Sequence, residues 1–230
     1  LMPALAAVAD ARVTQRMAGT LLDIYLGRTI GPRVLDGEIR RGYGERIRAI
    51  LMATDLRGFT SLSDRLPGEE LIELLDDYFE AVTQPVQSEG GEVLKFIGDG
   101  VLAIFALGAR SEAEATGAAL DAAQASLRRL DVLNRERAVR SRAQLRVGIG
   151  MHLGEVFYGN VGATDRLDFT VIGPAVNLTS RLEGLTKRLE RPIVVSDDFA
   201  RACKRPLSSL GFHPVRGLSE PAEVFGLPPA

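Results

Sequence analysis

The chain has 230 residues, 46% of them hydrophobic and 25% charged, with a formal net charge of −2. That balance belongs to a globular chain and excludes an intrinsically disordered one. There is no basic stripe, so nucleic acid is not expected as a partner. Cys203 is the single cysteine. It excludes an internal disulfide and fits a reducing compartment. His152 and His213 stand without a cysteine cluster, which excludes an ordinary zinc site and leaves hard cations on oxygen ligands as the metals to consider. No apolar run approaches the ~20 residues of a membrane span. The opening LMPALAAVAD lacks the basic flank of a signal peptide, and a cytoplasmic location is expected.

Residues 1–44 read as a helix followed by a turn-rich linker. Val13, Met17, Leu21 and Leu22 recur near helical spacing. This helix either packs on the domain body or couples it to an upstream regulatory region. GPRVLDGEIRRGYGER reads as an ordered linker punctuated by glycine. Residues 45–230 then form one domain. RIRAILMATD is a short buried strand ending in a polar residue. GEELIELLDDYFEAVTQPVQSEG is an amphipathic helix with Leu71, Leu74, Leu75, Tyr78, Phe79 and Val82 on its apolar face, and Pro85 is placed to kink its last stretch.

VLKFIG and GVLAIFA are strands joined by Gly98-Asp99-Gly100, a tight hairpin signal. An alanine-rich helix, SEAEATGAALDAAQASLRRLDVLNRERAV, follows. LRVGIGMHLGEVFYGNVG is a strand pair or one long bent strand, with Gly148, Gly150 and Gly154 allowing bends or close backbone approach. DFTVIG is a strand, PAVNLTSRLEGLTKRL a helix with Pro174 early, PIVVS a buried strand and FHPVRGLSEPAEVFGL a terminal hairpin. This order predicts an α+β ferredoxin-like sandwich, a mainly antiparallel sheet with helices packed on one face.

Polar residues at the edges of these apolar elements carry the chemistry. Asp55 ends the first strand, and Asp99 sits at the hairpin tip. Carboxylates held close repel unless a cation lies between them, and two such groups can hold two divalent cations, Mg2+ or Mn2+. Asn177 and Arg181 share a helix face by their i, i+4 spacing and can meet a phosphoryl group. Gly58, in Arg57-Gly58-Phe59-Thr60, lets backbone amides approach phosphate oxygens at a helix start. Together these residues suggest metal-assisted phosphoryl chemistry on a nucleotide. Cys203 and His152 read as structural.

The order and spacing of these motifs over roughly residues 45–227 resemble the class III nucleotidyl cyclase catalytic domain. The resemblance implies that Asp55 and Asp99, with the Leu56 carbonyl, bind metal, and that Arg57 to Thr60 form a triphosphate loop. It implies that Asn177 orients the ribose, that Arg181 offsets charge on the α-phosphoryl group, and that Arg216 stands where the family often has a triphosphate-binding lysine. Lys95 and Thr170 fall at the two base-reading positions. A lysine ammonium only donates hydrogen bonds, which suits adenine N1 and opposes guanine N1; the threonine hydroxyl can accept or donate. The expected activity is therefore an adenylate cyclase making 3′,5′-cyclic AMP and pyrophosphate from ATP. The resemblance also implies a homodimer with shared active sites. A guanylate cyclase, or a nucleotide-binding sensor module without turnover, are the alternatives.

Overall fold

The computed structural model describes residues 2–26, 30–37, 40, 42–163 and 165–229, with side chains for all of these but 2–11, 26, 30 and 33. Its contacts divide the chain into two compact units, Leu1–Glu45 with Tyr158–Thr170, and Arg46–Phe157 with Val171–Ala230.

The first unit contains helices α1 (Met2–Leu26) and α2 (Ile30–Leu35), which pack together. The helix expected at the start of the chain is present. Val13, Met17 and Leu21 are exposed on it, and Leu22 is half-buried. The linker expected between residues 31 and 46 is part helix and part turn; residues 38, 39 and 41 lie outside the described residues. Backbone bonds join Gly42 to Asn160 (3.1 Å) and Asn160 to Tyr43 (2.8 Å). Tyr158 and Phe169 meet edge to face, with ring centroids 4.7 Å apart.

The larger unit holds most of an eight-stranded sheet. Its strands are β1 (Gly44–Leu56), β2 (Glu92–Ile97), β3 (Gly100–Ala106), β4 (Val147–Gly162), β5 (Leu167–Ile172), β6 (Ile193–Ser196), β7 (Ser208–His213) and β8 (Ala222–Gly226). The order across the sheet is β2-β3-β1-β4-β6-β8-β7, and β5 pairs with β4. β4 is one long strand, which decides between the two readings of that segment. Most described pairings are antiparallel, while β4 and β6 run parallel. A parallel pair needs a crossover connection, and a helix between those strands, α6 (Pro174–Arg188), lies in it.

The remaining helices are α3 (Phe59–Ser63), α4 (Gly68–Ser88), α5 (Glu112–Val139) and α7 (Asp197–Ala202). α4 continues three residues beyond the buried Pro85. α5 starts at a reciprocal capping box, in which Ser111 accepts from the Glu114 backbone N–H and the Glu114 carboxylate accepts from that of Ser111. Such a box satisfies two donors the helix start would otherwise leave unpaired.

Side-chain alternation sorts the helices onto the sheet. Ile50, Met52, Ile149, Met151, Ile193 and Val195 belong to one core with α4, α5 and α7. Val194, one residue out of phase, packs with Leu182 and Leu185 of α6 and with Val215 and Val224. Successive strand residues point to opposite faces. The α+β class and the sheet bearing packed helices are thus as expected, with α4, α5 and α7 on the single face anticipated. α6 takes the other face. The reason lies in β4: a Cβ on Gly150 would fall 2.6 Å from the Thr179 carbonyl oxygen and 2.8 Å from the Glu183 Cα, so α6 can seat its backbone there only over glycine.

Candidate active site

The carboxylate end of β1 is set by its neighbours. Thr54 and Tyr78 are both buried and share a hydrogen bond of 2.7 Å between Thr54 Oγ1 and Tyr78 Oη. The bond fixes β1 to α4 one residue before Asp55. Burial pushes the Tyr78 phenol up, so it stays a neutral hydrogen-bonding group. β1 and β3 pair in a register that puts Asp55 opposite Gly100. A Cβ at position 100 would lie 2.7 Å from the Thr54 carbonyl oxygen, and glycine there permits the close pairing.

β2 and β3 are joined through Gly98 and Asp99, with Ile97 opposite Gly100. Gly98 has φ +59°, the left-handed first position of a two-residue hairpin turn, which glycine adopts at least cost. Asp99 is thereby delivered beside Asp55. Burial raises the Asp55 carboxyl to about 6, and the neighbouring Asp99, through charge and a side-chain hydrogen bond, adds to the rise. Asp55 is exposed by surface area, so it is open to solvent on one side and crowded by a like charge on the other.

Glu183 of α6 joins this cluster, and the sequence reading did not anticipate it. It lines a cavity of about 280 Å3 with Asp55, Gly100, Val176 and Ser180. Burial, then the Asp55 charge, raises its carboxyl to about 7, against the pull of Arg57. Val176, Ser180 and Glu183 follow i, i+4, i+7 spacing, and that helical stripe was the available signal.

Asn177 and Arg181 open elsewhere. They line a cavity of about 790 Å3 with His152, Val171 to Val176, Asp198, Gly217 and Leu218. Arg181 is half-buried, and its guanidinium lies against the turn at Gly217, where a Cβ would approach Nη1 to 2.7 Å. That turn closes with the Leu218 N–H donating to the Val215 carbonyl at 3.0 Å. Arg216 is on the same turn, exposed. His152 is buried, shares a 2.8 Å hydrogen bond with Ser196 Oγ, and is pushed down by burial against the pull of Asp198. It is a neutral packing residue at the cavity wall.

The other sequence-derived residues are placed as follows. Leu56 is buried at the end of β1, with its side chain in the core. Gly58 has φ +79° and precedes α3; Phe59 packs against the main core and Thr60 is exposed. Lys95 is half-buried on β2 and lines neither cavity. Thr170 is buried on β5. The Arg57 side chain is held by backbone carbonyls of its own chain. Its Nη2 donates to the backbone carbonyls of Thr186 (3.0 Å) and Arg191 (2.7 Å). A guanidinium engaged on those carbonyls is not presented to a triphosphate.

Asp55, Asp99 and the Leu56 carbonyl offer hard oxygen donors. Among the described residues no group of three or more His, Cys, Asp or Glu side chains forms a ready-made cation cage. The close carboxylates, with Asp55 raised by burial and by the neighbouring Asp99, nonetheless fit divalent cations, whose charge would relieve their repulsion.

Residues 45–219 match the model of the adenylate and guanylate cyclase catalytic domain. The chain belongs to this family, the class III nucleotidyl cyclases. It is 36% identical over 183 residues to an adenylate cyclase of Anabaena cylindrica, a match covering 78% of this chain and 35% of that protein. The chain thus spans about a third of the length of this curated relative. Among solved structures it resembles the adenylyl cyclase CyaB from P. aeruginosa, with a TM-score of 0.75 and 28% identity over 82% of this chain and 97% of that one. It also resembles the guanylyl cyclase Cya2, with a TM-score of 0.69 and 28% identity over 80% of this chain and 95% of that one. No helix among the described residues is long and apolar enough to cross a membrane.

Proposed function

We propose that this chain is an adenylate cyclase that converts ATP to 3′,5′-cyclic AMP and pyrophosphate at two sites shared by a homodimer. The observation that carries the reading is the division of α6. Asn177 and Arg181 line one cavity, Ser180 and Glu183 line the cavity of Asp55, and Val176 borders both. A nucleotide that needs both sets meets them when the carboxylates of one copy face the Asn/Arg cleft of another, and an isologous interface makes both sites at once.

In this reading, residues 45–230 are the catalytic domain and residues 1–44 an N-terminal helix and linker. Asp55, Asp99 and the Leu56 carbonyl hold the cations, Mg2+ or Mn2+. When bound, these supply a lowered barrier to ionising the ribose 3′-hydroxyl and neutralise charge on the leaving pyrophosphate. Asn177 orients the ribose. Arg181 donates to the α-phosphoryl oxygens as charge builds there, an interaction strongest in the transition state. The amides after Gly58 and the Arg216 guanidinium meet the triphosphate. Lys95 donates to adenine N1, and the Thr170 hydroxyl accepts from the adenine amino group.

Guanylate cyclase activity is the second reading, because identity to an adenylyl and to a guanylyl cyclase structure is the same 28%. Lys95 opposes it. Product formation from ATP and from GTP, each with Mg2+ and with Mn2+, tests the assignment. Cyclic AMP from ATP with little cyclic GMP from GTP is expected. Dominant cyclic GMP would overturn the base assignment and keep the chemistry. A folded dimer that binds nucleotide and makes neither product would favour a sensor module or an absent activator.

A further inference from the structure

Arg57 joins three separated stretches of the chain. Its backbone N–H donates to the Arg146 carbonyl at 2.7 Å, just ahead of β4. Its side chain reaches the far end of α6, where Nη2 donates to the Thr186 and Arg191 carbonyls at 3.0 and 2.7 Å. The other end of this bridge is two residues from Asp55.

The end of α6 needs such a partner. The helix closes with the Arg191 N–H returning to the Thr186 carbonyl at 3.1 Å. Between them Glu190 has φ +53°. This is the six-to-one closure that helices usually build around glycine, and a residue bearing a Cβ is disfavoured at that φ. A guanidinium on the part-buried Thr186 and Arg191 carbonyls adds hydrogen bonds and a positive charge at the negative pole of the helix. Thr186 lies five residues beyond Arg181, about 7.5 Å along the helix axis. The clamp therefore sits close behind the side chains that α6 carries.

We propose that Arg57 is a positioning residue that clamps the C-terminal end of α6 to the carboxylate strand, and so sets Asn177 and Arg181. The inference rests on the shared-site reading above, and it has a specific consequence there. Asp55 serves one site of the dimer while the α6 of the same chain serves the other. Arg57 acts on the site its neighbour Asp55 does not serve, and it ties the two sites of a dimer together.

The test uses mixed dimers of the full chain. Pairing an Asp55→Ala chain with an Arg181→Ala chain leaves one working site, built from the second chain's Asp55 and the first chain's Arg181. Arg57→Ala is then added to one chain at a time. In the Asp55→Ala chain it should lower kcat by about 10-fold with KM for ATP nearly unchanged, the signature of a misplaced catalytic group. In the Arg181→Ala chain it should leave kcat within about twofold. Arg57→Lys, which keeps the charge and a donor, should recover part of the loss. A loss confined to the Arg181→Ala chain would make Arg57 a phosphate contact of its own loop, and equal losses would make it a general structural residue; either overturns the proposal.

If the parent pair forms mixed dimers and regains no activity, the shared-site reading fails by itself. The clamp is then judged by hydrogen exchange on the folded chain. Arg57→Ala should speed exchange in Leu185–Arg191 by about 10-fold and leave the Ile97–Gly100 hairpin unchanged. Unaltered exchange at the end of α6 would overturn it.

Discussion

The two flanks of α6 are built on different principles. On one, Asp55 and Glu183 line a cavity of about 280 Å3; burial, then the neighbouring Asp99, raises Asp55 to about 6, and burial, then the Asp55 charge, raises Glu183 to about 7. On the other, Asn177 and Arg181 line about 790 Å3. Small-molecule sites run to roughly 300–1,000 Å3, so the second flank has room for a nucleotide and the first falls just short. The first flank concentrates negative charge that a small cation relieves, and the second offers donors in a cleft that a phosphoryl group fills. One helix thus separates an acidic side from a donor-lined cleft, which become a cation side and a nucleotide side in the proposed function.

That contrast breaks most directly at the hairpin tip. Asp99→Ala should lower cyclic nucleotide formation by about 10^3-fold or more, while the fold measured by circular dichroism stays intact, because the residue sits in a two-residue turn and supports no core packing. Near-normal turnover would remove the cation role from this flank. Arg181→Ala should lower kcat by roughly 10^2–10^3-fold with a much smaller change in KM, as for a donor that acts on developing charge. A change in KM alone would make Arg181 a ground-state binding group. The base-reading positions should give a smaller effect. Lys95→Glu combined with Thr170→Cys should shift the ATP-to-GTP ratio of kcat/KM toward GTP by about 10-fold or more, since a carboxylate accepts where the ammonium only donates. Retained ATP preference would assign base selection to other contacts.

How much of this was legible in sequence follows from the range of the interactions. The Gly98-Asp99 hairpin could be read because the signal is local and its glycine has a backbone reason. α6 could be read for the same reason, with Pro174 at its start and Lys187 and Arg188 in its last turn. α7 was passed over, although Ser196-Asp197-Asp198 is a helix start and the Ser196 side chain accepts from the Phe199 N–H. The side of the sheet on which α6 lies was written into β4, where Gly148 and Gly150 alternate with Ile149 and Met151. Reading those glycines as bends or close approaches was right in kind, but the partner was not visible. Arg57 shows the limit. Its motif placed it in a phosphate loop, whereas its side chain is held by carbonyls 129 and 134 residues away, a distance over which no local spacing carries information. Glu183 was missed for the same reason, because its raised carboxyl depends on Asp55, 128 residues earlier by the numbering.

The smallest expected effect is a stability change that separates the flanks without any assay of turnover. Asp55 is raised from 3.8 to about 6 in the folded chain, so between those values the folded state binds more protons than the unfolded one. Stability from this group is then fully present below pH ~4, declines as pH rises, and is lost once pH passes about 6. Without metal at pH 7.5 the ionised carboxylate is a burden, and Asp55→Asn should raise Tm. Because the side chain is partly in water, the gain is discounted to about 1 kcal/mol, or ~2–4 °C for a chain of this size. At pH 4 the gain should vanish. Added Mg2+ or Mn2+ should stabilise the wild-type chain at pH 7.5 more than at pH 5, because the cation binds the ionised form and its stabilisation follows the population of that form. The Asn variant should respond less to the cation at either pH. Arg181→Ala should leave this whole pattern in place, since that side chain lines the other cavity. If Asp55→Asn lowers Tm at pH 7.5, or if Arg181→Ala abolishes the cation response, the two flanks are not separate sites within one chain and the division of labour across α6 fails.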